Sequence, residues 1–398
     1  MDDAAQVDAT SVWDERYEKG GHVGTAPTIE GDPVDYTQHR FLYAHAIGKP
    51  TTGALDGWPI ESFARRHLTD HRPARVLAIG SGMAFIEEHL LAHDMVGHIT
   101  AYEMSPTACK AATARVADKP YADRLVMKSV DVLTEDLADA SFDMVFVQAA
   151  IHHFFAIEEM FDLFHRVLKP GGLLWYDEYV GPDHHMYDRH VFALMDEIND
   201  CLAPGYRRDV VSNAGRVREK LPEPSLEFML QHDPSEGVHA SRILPLTYQY
   251  FDVLERQDYG GAIMRPFFTG ILNNFDWDDP KDQTVARLVV LFEQVLTREG
   301  VIPSYHSMVL ARRKDVIGTP MPEAAAARIT YADWAGPDAV GDAPGRDESA
   351  AAAEGGIADR LWSLRVAAGR RAPHAARVAW RLGRAGLRIA KHRVGRGG

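Results

Sequence analysis

The sequence predicts an α/β fold built on a doubly wound, mostly parallel sheet. An apolar strand over 75–79 runs through the glycine turn Gly80-Ser81-Gly82 directly into a helical segment. Further apolar strands then alternate with helical segments up to about residue 180. Strands that alternate with helices form a parallel sheet covered on both faces, so this order indicates the doubly wound architecture.

The glycine turn after the first strand has two interpretations. Backbone N–H groups can approach a ligand closely there, and the dipole of the next helix favours a negative group, as in a nucleotide-like cofactor site. The same turn also occurs for structural reasons alone. Four apolar side chains of the following helix are expected to face the core: Phe85, Ile86, Leu90 and Leu91.

The second and third strands each end in an acidic residue. The strand over 98–102 ends in Glu103, and the strand over 125–130 ends in Asp131. An acidic side chain at the tip of the second strand suits hydrogen bonds to ribose hydroxyls.

The fourth and fifth strands lead into polar segments. A buried strand over 142–147 opens on residues 148–153, which include two consecutive histidines. Basic residues, a proline and two glycines over 165–172 are expected to end the next helix. The strand over 173–176 follows and leads to Asp177 and Glu178.

Taken in order, these motifs resemble the class I S-adenosylmethionine (SAM) dependent methyltransferases over roughly positions 60 to 180. Segments 251–254 and 305–310 look like the last two strands of that family. The resemblance implies a seven-stranded, Rossmann-like methyltransferase sheet and SAM as the cofactor. In that family no metal or nucleophilic side chain is obligatory, because the protein mainly positions two reactants and excludes water.

The resemblance also implies the cofactor contacts. The implied set is Gly80, Ser81, Gly82, Glu103, Met104, Asp131, Val132, Gln148 and Ala149. Within it, Glu103 would hold the ribose, and Asp131 would bond the adenine amino group. Asp131 has a second interpretation as a strand-end turn residue.

An aromatic pair in the N-terminal segment is a further candidate. Trp13 and Tyr17 are four residues apart and so share one face of a helix. In resembling methyltransferases such a segment packs over the cofactor; alternatively, the pair only stabilises its own helix.

Two positions depart from the family pattern. Ala78 stands where an acidic residue is usual, and Ala84 replaces the third glycine of the turn. The loss of the acid removes one polar partner near the methionine end of the cofactor. A methyltransferase-fold scaffold without catalysis therefore stays open as an alternative of another class.

Three side chains are candidates for the catalytic base: His152, His153 and Glu178. An acceptor hydroxyl benefits from a base, and histidine titrates in the useful range. The alternative for the two histidines is a structural role, because histidines after the fourth strand also pack against the core or bond to the backbone. Together with His184 and His185 they show no recognisable metal-ligand motif, so no metal is expected.

The chain divides by pattern and composition into six segments. They are 1–60, an N-terminal helical cap; 61–180, the SAM-binding core; 181–250, an acceptor-recognition insertion; 251–316, the last two strands; 317–356, a flexible linker; and 357–398, a basic amphipathic tail.

Charge is distributed unevenly along the 398 residues. The net charge is −14, yet segment 357–398 holds ten arginines and one lysine against a single aspartate. The acidic remainder argues against nucleic-acid binding by the core. Cys109 and Cys201 have no metal spacing, and the chain shows no secretory signal or spanning apolar run, so a cytoplasmic location is expected.

The tail carries a basic stripe of helical period. Its members recur at intervals of three and four: Arg377, Arg381, Arg384, Arg388 and Lys391. A cationic amphipathic helix suits peripheral contact with an anionic membrane at the inner face. A protein partner is the other interpretation.

The predicted function is methyl transfer from SAM to a small-molecule or glycan acceptor. Residues 233–236 and 259–261 look like methyltransferases encoded among bacterial surface-polysaccharide enzymes. With a membrane-seeking tail, this favours O-methylation of a sugar or a lipid-linked glycan. The alternative acceptor is a small natural product or a lipid-like metabolite.

Overall fold

The computed structural model describes residues 36–68, 72–209 and 215–319. Trp13 and Tyr17 lie outside the described residues, as do the basic tail and nearly all of the expected linker.

A seven-stranded sheet forms the centre of the fold, with the strand order β3-β2-β1-β4-β5-β9-β8. Strands β1 to β5 are parallel, and β9 is antiparallel to both β5 and β8. A small hairpin, β6-β7, stands apart from it. The strands are β1 Arg75–Ile79, β2 His98–Tyr102, β3 Leu125–Lys128, β4 Phe142–Gln148, β5 Leu168–Tyr179, β6 Arg208–Asp209, β7 Arg216–Val217, β8 Phe251–Gly260 and β9 His306–Arg313. The predicted doubly wound, Rossmann-like architecture is confirmed.

The strand bounds differ from the sequence prediction mainly at β5. This strand begins at Leu168 rather than Leu173, so the proline and glycines expected to separate helix from strand lie inside it. Its register against β4 is irregular between Phe142 and Met144. Gly171 has φ +74°, which a glycine adopts without strain.

Eleven α-helices occur in the described residues. They are α1 Arg40–Tyr43, α2 Lys49–Thr52, α3 Pro59–Leu68, α4 Phe85–Ala92, α5 Pro106–Val116, α6 Ile157–Val167, α7 Arg189–Cys201, α8 Leu226–His232, α9 Ile243–Tyr250, α10 Met264–Phe268 and α11 Pro280–Arg298. None of the described helices is long and apolar enough to cross a membrane.

Helix α4 buries three of the four side chains predicted to face the core. Ile86, Leu90 and Leu91 are buried, but Phe85 is 41% exposed. The Arg115 guanidinium lies 4.2 Å from the centre of the Phe85 ring. The first residue of the helix therefore packs against a cation at the surface, and the prediction for Phe85 is wrong.

Within residues 36–68, 72–209 and 215–319, the apolar core has three parts. Helices α3, α4 and α5 cover one face of the sheet, and α6 and α9 cover the other. A third cluster joins α7 of the insertion to the N-terminal helices and to α10 and α11, which lie between β8 and β9. This helical layer places the insertion beside the ends of β5 and β9.

Candidate functional site

The predicted cofactor residues follow four strands that are neighbours in the sheet. Parallel strands present their carboxyl ends at one edge, so the segments after β1, β2, β3 and β4 meet there. This is the edge where ligands bind in open α/β sheets.

The turn after β1 has the conformation that its glycines permit. Gly80 has φ +66° and Gly82 φ +50°, and the Gly80 N–H donates to the Tyr102 carbonyl at 2.8 Å. A Cβ on Gly80 would lie 2.3 Å from the Cβ of Ala150. Glycine at this position thus lets the turn touch the segment after β4. Ser81 belongs to the same turn, and its carbonyl accepts a hydrogen bond from Ala84 at 2.7 Å.

Glu103 is tied to this turn. Its Oε2 accepts a 2.7 Å hydrogen bond from the Gly82 N–H, and its Oε1 accepts one of 2.9 Å from the Ser105 N–H. The neighbouring Met104 is 47% exposed. The carboxylate therefore stands at the edge of the sheet, where the ribose contact is expected.

The segments after β3 and β4 complete the edge. Asp131 is exposed, and its Oδ1 accepts from the Leu133 N–H at 2.9 Å, which is the turn role; Val132 beside it is buried. Gln148 is half-buried, and Ala149 is exposed with φ +49°. A positive φ at an alanine is strained, and such strain is often found at binding sites.

The two departures from the family pattern are both buried. Ala78 lies inside β1, and Ala84 precedes α4 in the left-handed region with φ +55°. One turn into the helix, the Glu87 side chain is also buried, and this burial raises its pKa to about 7. A carboxyl group thus lies inside α4, although the acid usual at position 78 is absent.

His152 and Glu178 form a buried pair at the ends of β4 and β5. Oε2 of Glu178 lies 2.6 Å from Nδ1 of His152. Oε1 of Glu178 accepts hydrogen bonds from the N–H groups of Ala150 and Ile151 at 2.6 and 2.7 Å. These contacts fix the position of the Glu178 side chain, which orients the His152 ring through Nδ1.

The insertion adds Glu236 to this pair. Its Oε1 lies 3.9 Å from Nε2 of His152, and its Oε2 lies 3.8 Å from Nε2 of His153. His153 Nδ1 lies 3.0 Å from Ser235 Oγ, and that hydroxyl donates to Asp233 Oδ1 at 2.6 Å. We call His152, His153 and Glu236 the dihistidine–glutamate cluster.

The side chains of His185 and Arg265 also lie beside the cluster. Nε2 of His185 is 2.7 Å from Glu236 Oε1, and Arg265 from α10 is 4.0 Å from the same oxygen. His184 contacts the Glu236 main-chain carbonyl instead, at 3.2 Å. The side chains of His152, His153 and His185 therefore surround the Glu236 carboxylate, whereas His184 meets only its main chain.

The charges in the cluster shift its pKa values. Burial lowers the pKa of His152, but the charges of Glu178 and Glu236 outweigh it and raise the value overall. Burial raises the pKa of Glu236, whereas the His185 hydrogen bond and the neighbouring histidines bring it well below its ordinary range. Glu236 is consequently a carboxylate.

Sequence reasoning missed Glu236 and Arg265 as site residues. Both lie far along the chain from the histidines that follow β4. Glu236 was part of a pattern noted for resemblance, but nothing local indicated that its side chain would face the end of β4.

The central part of the chain is similar to known methyltransferases. Residues 77–176 match the family model described as a methyltransferase domain. A malonyl-[acyl-carrier protein] O-methyltransferase from Laribacter hongkongensis is 30% identical over 137 residues, which are 33% of this chain and 46% of that protein. The match thus spans about half of the relative's length.

Solved methyltransferase structures also resemble this chain. Geranyl diphosphate C-methyltransferase from Streptomyces coelicolor A3(2) has a TM-score of 0.43 at 13% identity, over 78% of this chain and 99% of that one. A SAM-dependent methyltransferase from Mesorhizobium loti has a TM-score of 0.38 at 16% identity, over 64% and 97%.

Proposed function

We propose that this chain, which carries a class I SAM-dependent methyltransferase domain, transfers a methyl group from SAM to a hydroxyl of a sugar or a lipid-linked glycan. One observation carries the proposal. The cofactor turn touches Ala150, and the main chain at Ala150 and Ile151 is bonded to Glu178, which holds His152. Cofactor and acceptor sides thus share one short backbone segment.

The residues at the sheet edge fit SAM. The Gly80–Gly82 turn has no side chain at its two glycines, Glu103 presents a carboxylate beside it, and Gln148 and Ala149 border the other side. When bound, SAM supplies an activated methyl group on a positively charged sulfur. The protein's own part is to hold both reactants and exclude water.

His152 or His153 supplies the base that takes the proton from the acceptor hydroxyl. His152 uses Nδ1 for Glu178, so its Nε2 is the nitrogen directed toward the cluster and able to accept a proton. His153 directs its own Nε2 the same way. Glu178, bonded on both oxygens, acts by positioning His152 rather than by taking the proton itself.

The polar side chains around the dihistidine–glutamate cluster suit a polyhydroxylated acceptor. Glu236 offers carboxylate acceptors, and the Arg265 guanidinium 4.0 Å from it offers donors. Hydroxyl groups of a sugar both donate and accept, so they can pair with both side chains. A small natural product or lipid-like metabolite is the second candidate acceptor.

The proposed location is the cytoplasm, with peripheral contact at the inner face of an anionic membrane. The support is the basic stripe of 377–391 in the sequence. Co-sedimentation of the full chain with anionic and with neutral vesicles tests it, with a variant lacking 357–398 as control. Binding only to anionic vesicles, lost in the variant, is expected; equal recovery on both contradicts membrane docking and leaves a protein partner.

Labelling the acceptor tests the function as a whole. The full chain is incubated with methyl-labelled SAM and a fractionated host extract, with the Glu103→Ala variant in parallel. Label in the glycan fraction that depends on Glu103 is the expected result. Label in the small-molecule or lipid fraction supports the second acceptor class.

Calorimetry with SAM and S-adenosylhomocysteine separates the enzyme from an inactive scaffold. The enzyme is expected to bind both compounds. No binding at millimolar cofactor contradicts the methyltransferase proposal and favours a methyltransferase-fold scaffold.

A further inference from the structure

We propose that His152, His153 and Glu236 form a binding site for a divalent transition-metal cation of the zinc type. One ligand atom from each residue lies within 4.8 Å of the other two. The Nε2–Oε distances of 3.9 and 3.8 Å are longer than hydrogen bonds. Ligands about 2.1 Å from a tetrahedral zinc ion lie roughly 3.4 Å from one another, so small side-chain movements close the site.

The outer contacts of both rings match those of metal-binding histidines. Such a histidine uses one ring nitrogen for the metal and the other for an oxygen partner that fixes the ring. Here Nδ1 of His152 lies 2.6 Å from the Glu178 carboxylate, and Nδ1 of His153 lies 3.0 Å from Ser235 Oγ. Both rings thereby direct Nε2 toward Glu236.

Burial and charge also suit a cation. The side chains of His152, His153 and Glu236 are only 8%, 13% and 18% exposed. The carboxylates of Glu178 and Glu236 supply negative charge, and the Arg265 guanidinium, 4.0 Å from Glu236, offsets part of it. Two imidazoles and one carboxylate are a ligand set for zinc, cobalt or iron rather than for calcium or magnesium, which prefer oxygen.

Two hydrogen bonds made by main-chain N–H groups position the segment of the insertion that carries Glu236. The His184 N–H donates to the Gly237 carbonyl at 2.9 Å, and the Ser241 N–H donates to Asp183 Oδ1 at 2.9 Å. These bonds fix the segment that carries Glu236 against the end of β5. A metal was not expected from the sequence because the ligands come together only in the folded chain.

The cation site is independent of the methyl-transfer proposal, since it rests only on the ligand geometry. The two uses of the site exclude each other at a given moment. An Nε2 lone pair that coordinates a cation cannot accept a proton, so a bound cation competes with the base role.

Metal titration of the full chain tests the site without SAM or acceptor. Chelator-treated protein is titrated with Co²⁺, followed by its visible absorption, and then with Zn²⁺ in competition. Saturation at one ion per chain is expected. His153→Ala and the isosteric Glu236→Gln should each weaken binding at least about tenfold. His98→Ala, an exposed histidine at the start of β2, is the matched control and should bind as the unchanged protein does.

Two results would overturn the proposal: no saturable Co²⁺ or Zn²⁺ binding by the unchanged protein, or binding by Glu236→Gln as tight as without the substitution. Circular dichroism of each variant shows whether it is folded. Should His153→Ala fail to fold, Glu236→Gln still decides, because it keeps the size of the side chain. Failure of either kind leaves methyl transfer untouched, since the labelling assay requires no added metal.

Discussion

The N–H of Gly82 donates a 2.7 Å hydrogen bond to Oε2 of Glu103, which joins the turn after β1 to the tip of β2. Two elements of the proposed cofactor site are therefore fixed to each other before any ligand binds. Because the Ser105 N–H holds the other oxygen, the carboxylate has a defined orientation. A site prepared in this way loses little conformational freedom on binding.

Glu103→Gln should weaken SAM binding at least about tenfold. A hydrogen bond to a charged group contributes about 1.5–3 kcal/mol, and the amide also presents an NH₂ to one of the two N–H donors. Calorimetry with SAM measures the change. Glu135→Gln, an acid after β3 that pairs with Lys128 and Tyr102, is the control and should bind SAM normally. Equal affinity of Glu103→Gln and the unchanged protein would contradict the ribose role.

Gly80→Ala should lower both stability and SAM affinity. An alanine in the left-handed region costs about 1–2 kcal/mol. At Gly80 the new Cβ also lies 2.3 Å from Ala150, and overpacking of this kind costs about 1–3 kcal/mol more. Urea unfolding and calorimetry measure the two effects.

Gly171→Ala is the matched control for that substitution. Gly171 has φ +74° but no atom within 4 Å of a Cβ, so it reports the backbone strain without the collision. It should lose less stability than Gly80→Ala and keep SAM binding. Similar losses at both positions would show that the contact with Ala150 has no effect.

Local sequence pattern predicted the sheet because each strand is a short apolar run between turn residues. Phe142–Gln148 and His98–Tyr102 need no distant contact to be recognised, and the order of strand and helix then determines the sheet edge. Phe85 escaped the pattern, since its position at the start of α4 allows it to stack on Arg115. An apolar residue at a helix end need not face the core.

The acceptor side could be predicted only in part. The histidines after β4 and Glu178 after β5 lie at strand ends, where the topology brings them together. Glu236 and Arg265 depend on the packing of α7, α10 and α11, which joins segments far apart in sequence. Such contacts follow from tertiary packing and leave no local period in the chain.

Glu178→Gln should act on methyl transfer through His152. Either Glu178→Gln or His152→Ala is expected to reduce transfer by about 10²–10⁴-fold, the range of a lost general base. If Glu178 only positions His152, adding Glu178→Gln to His152→Ala should cause no further loss. The labelling assay on single and double variants measures this, and full additivity of the two losses would contradict the positioning role.

Glu293→Gln is the control for the structural part of that experiment. Glu293 is likewise buried and accepts hydrogen bonds from the N–H groups of Ala262, Ile263 and Met264. Both glutamine variants should lose about 1–3 kcal/mol of unfolding free energy, because a buried donor loses its partner. Only for Glu178→Gln should the loss of methyl transfer fail to add to the loss caused by His152→Ala.

Glu87 should make the stability of the protein fall as the pH rises from about 4.5 to about 7. Burial raises the pKa of this carboxyl from its ordinary 4.5 to about 7, so between these values the folded chain binds more protons than the unfolded chain. Stability therefore declines as pH rises from about 4.5 to about 7, and the full loss of about 3 kcal/mol is present above pH 7. Glu87→Gln stays neutral at every pH and should remove this decline, which makes the variant more stable than the unchanged protein at pH 8. Urea unfolding at pH 5 and pH 8 measures the decline in unfolding free energy. Glu159 is an exposed acid in the first turn of α6, so Glu159→Gln is the control and should leave the pH dependence in place. An unfolding free energy that falls equally from pH 5 to pH 8 in both variants would show that Glu87 is ionised without cost in the folded chain.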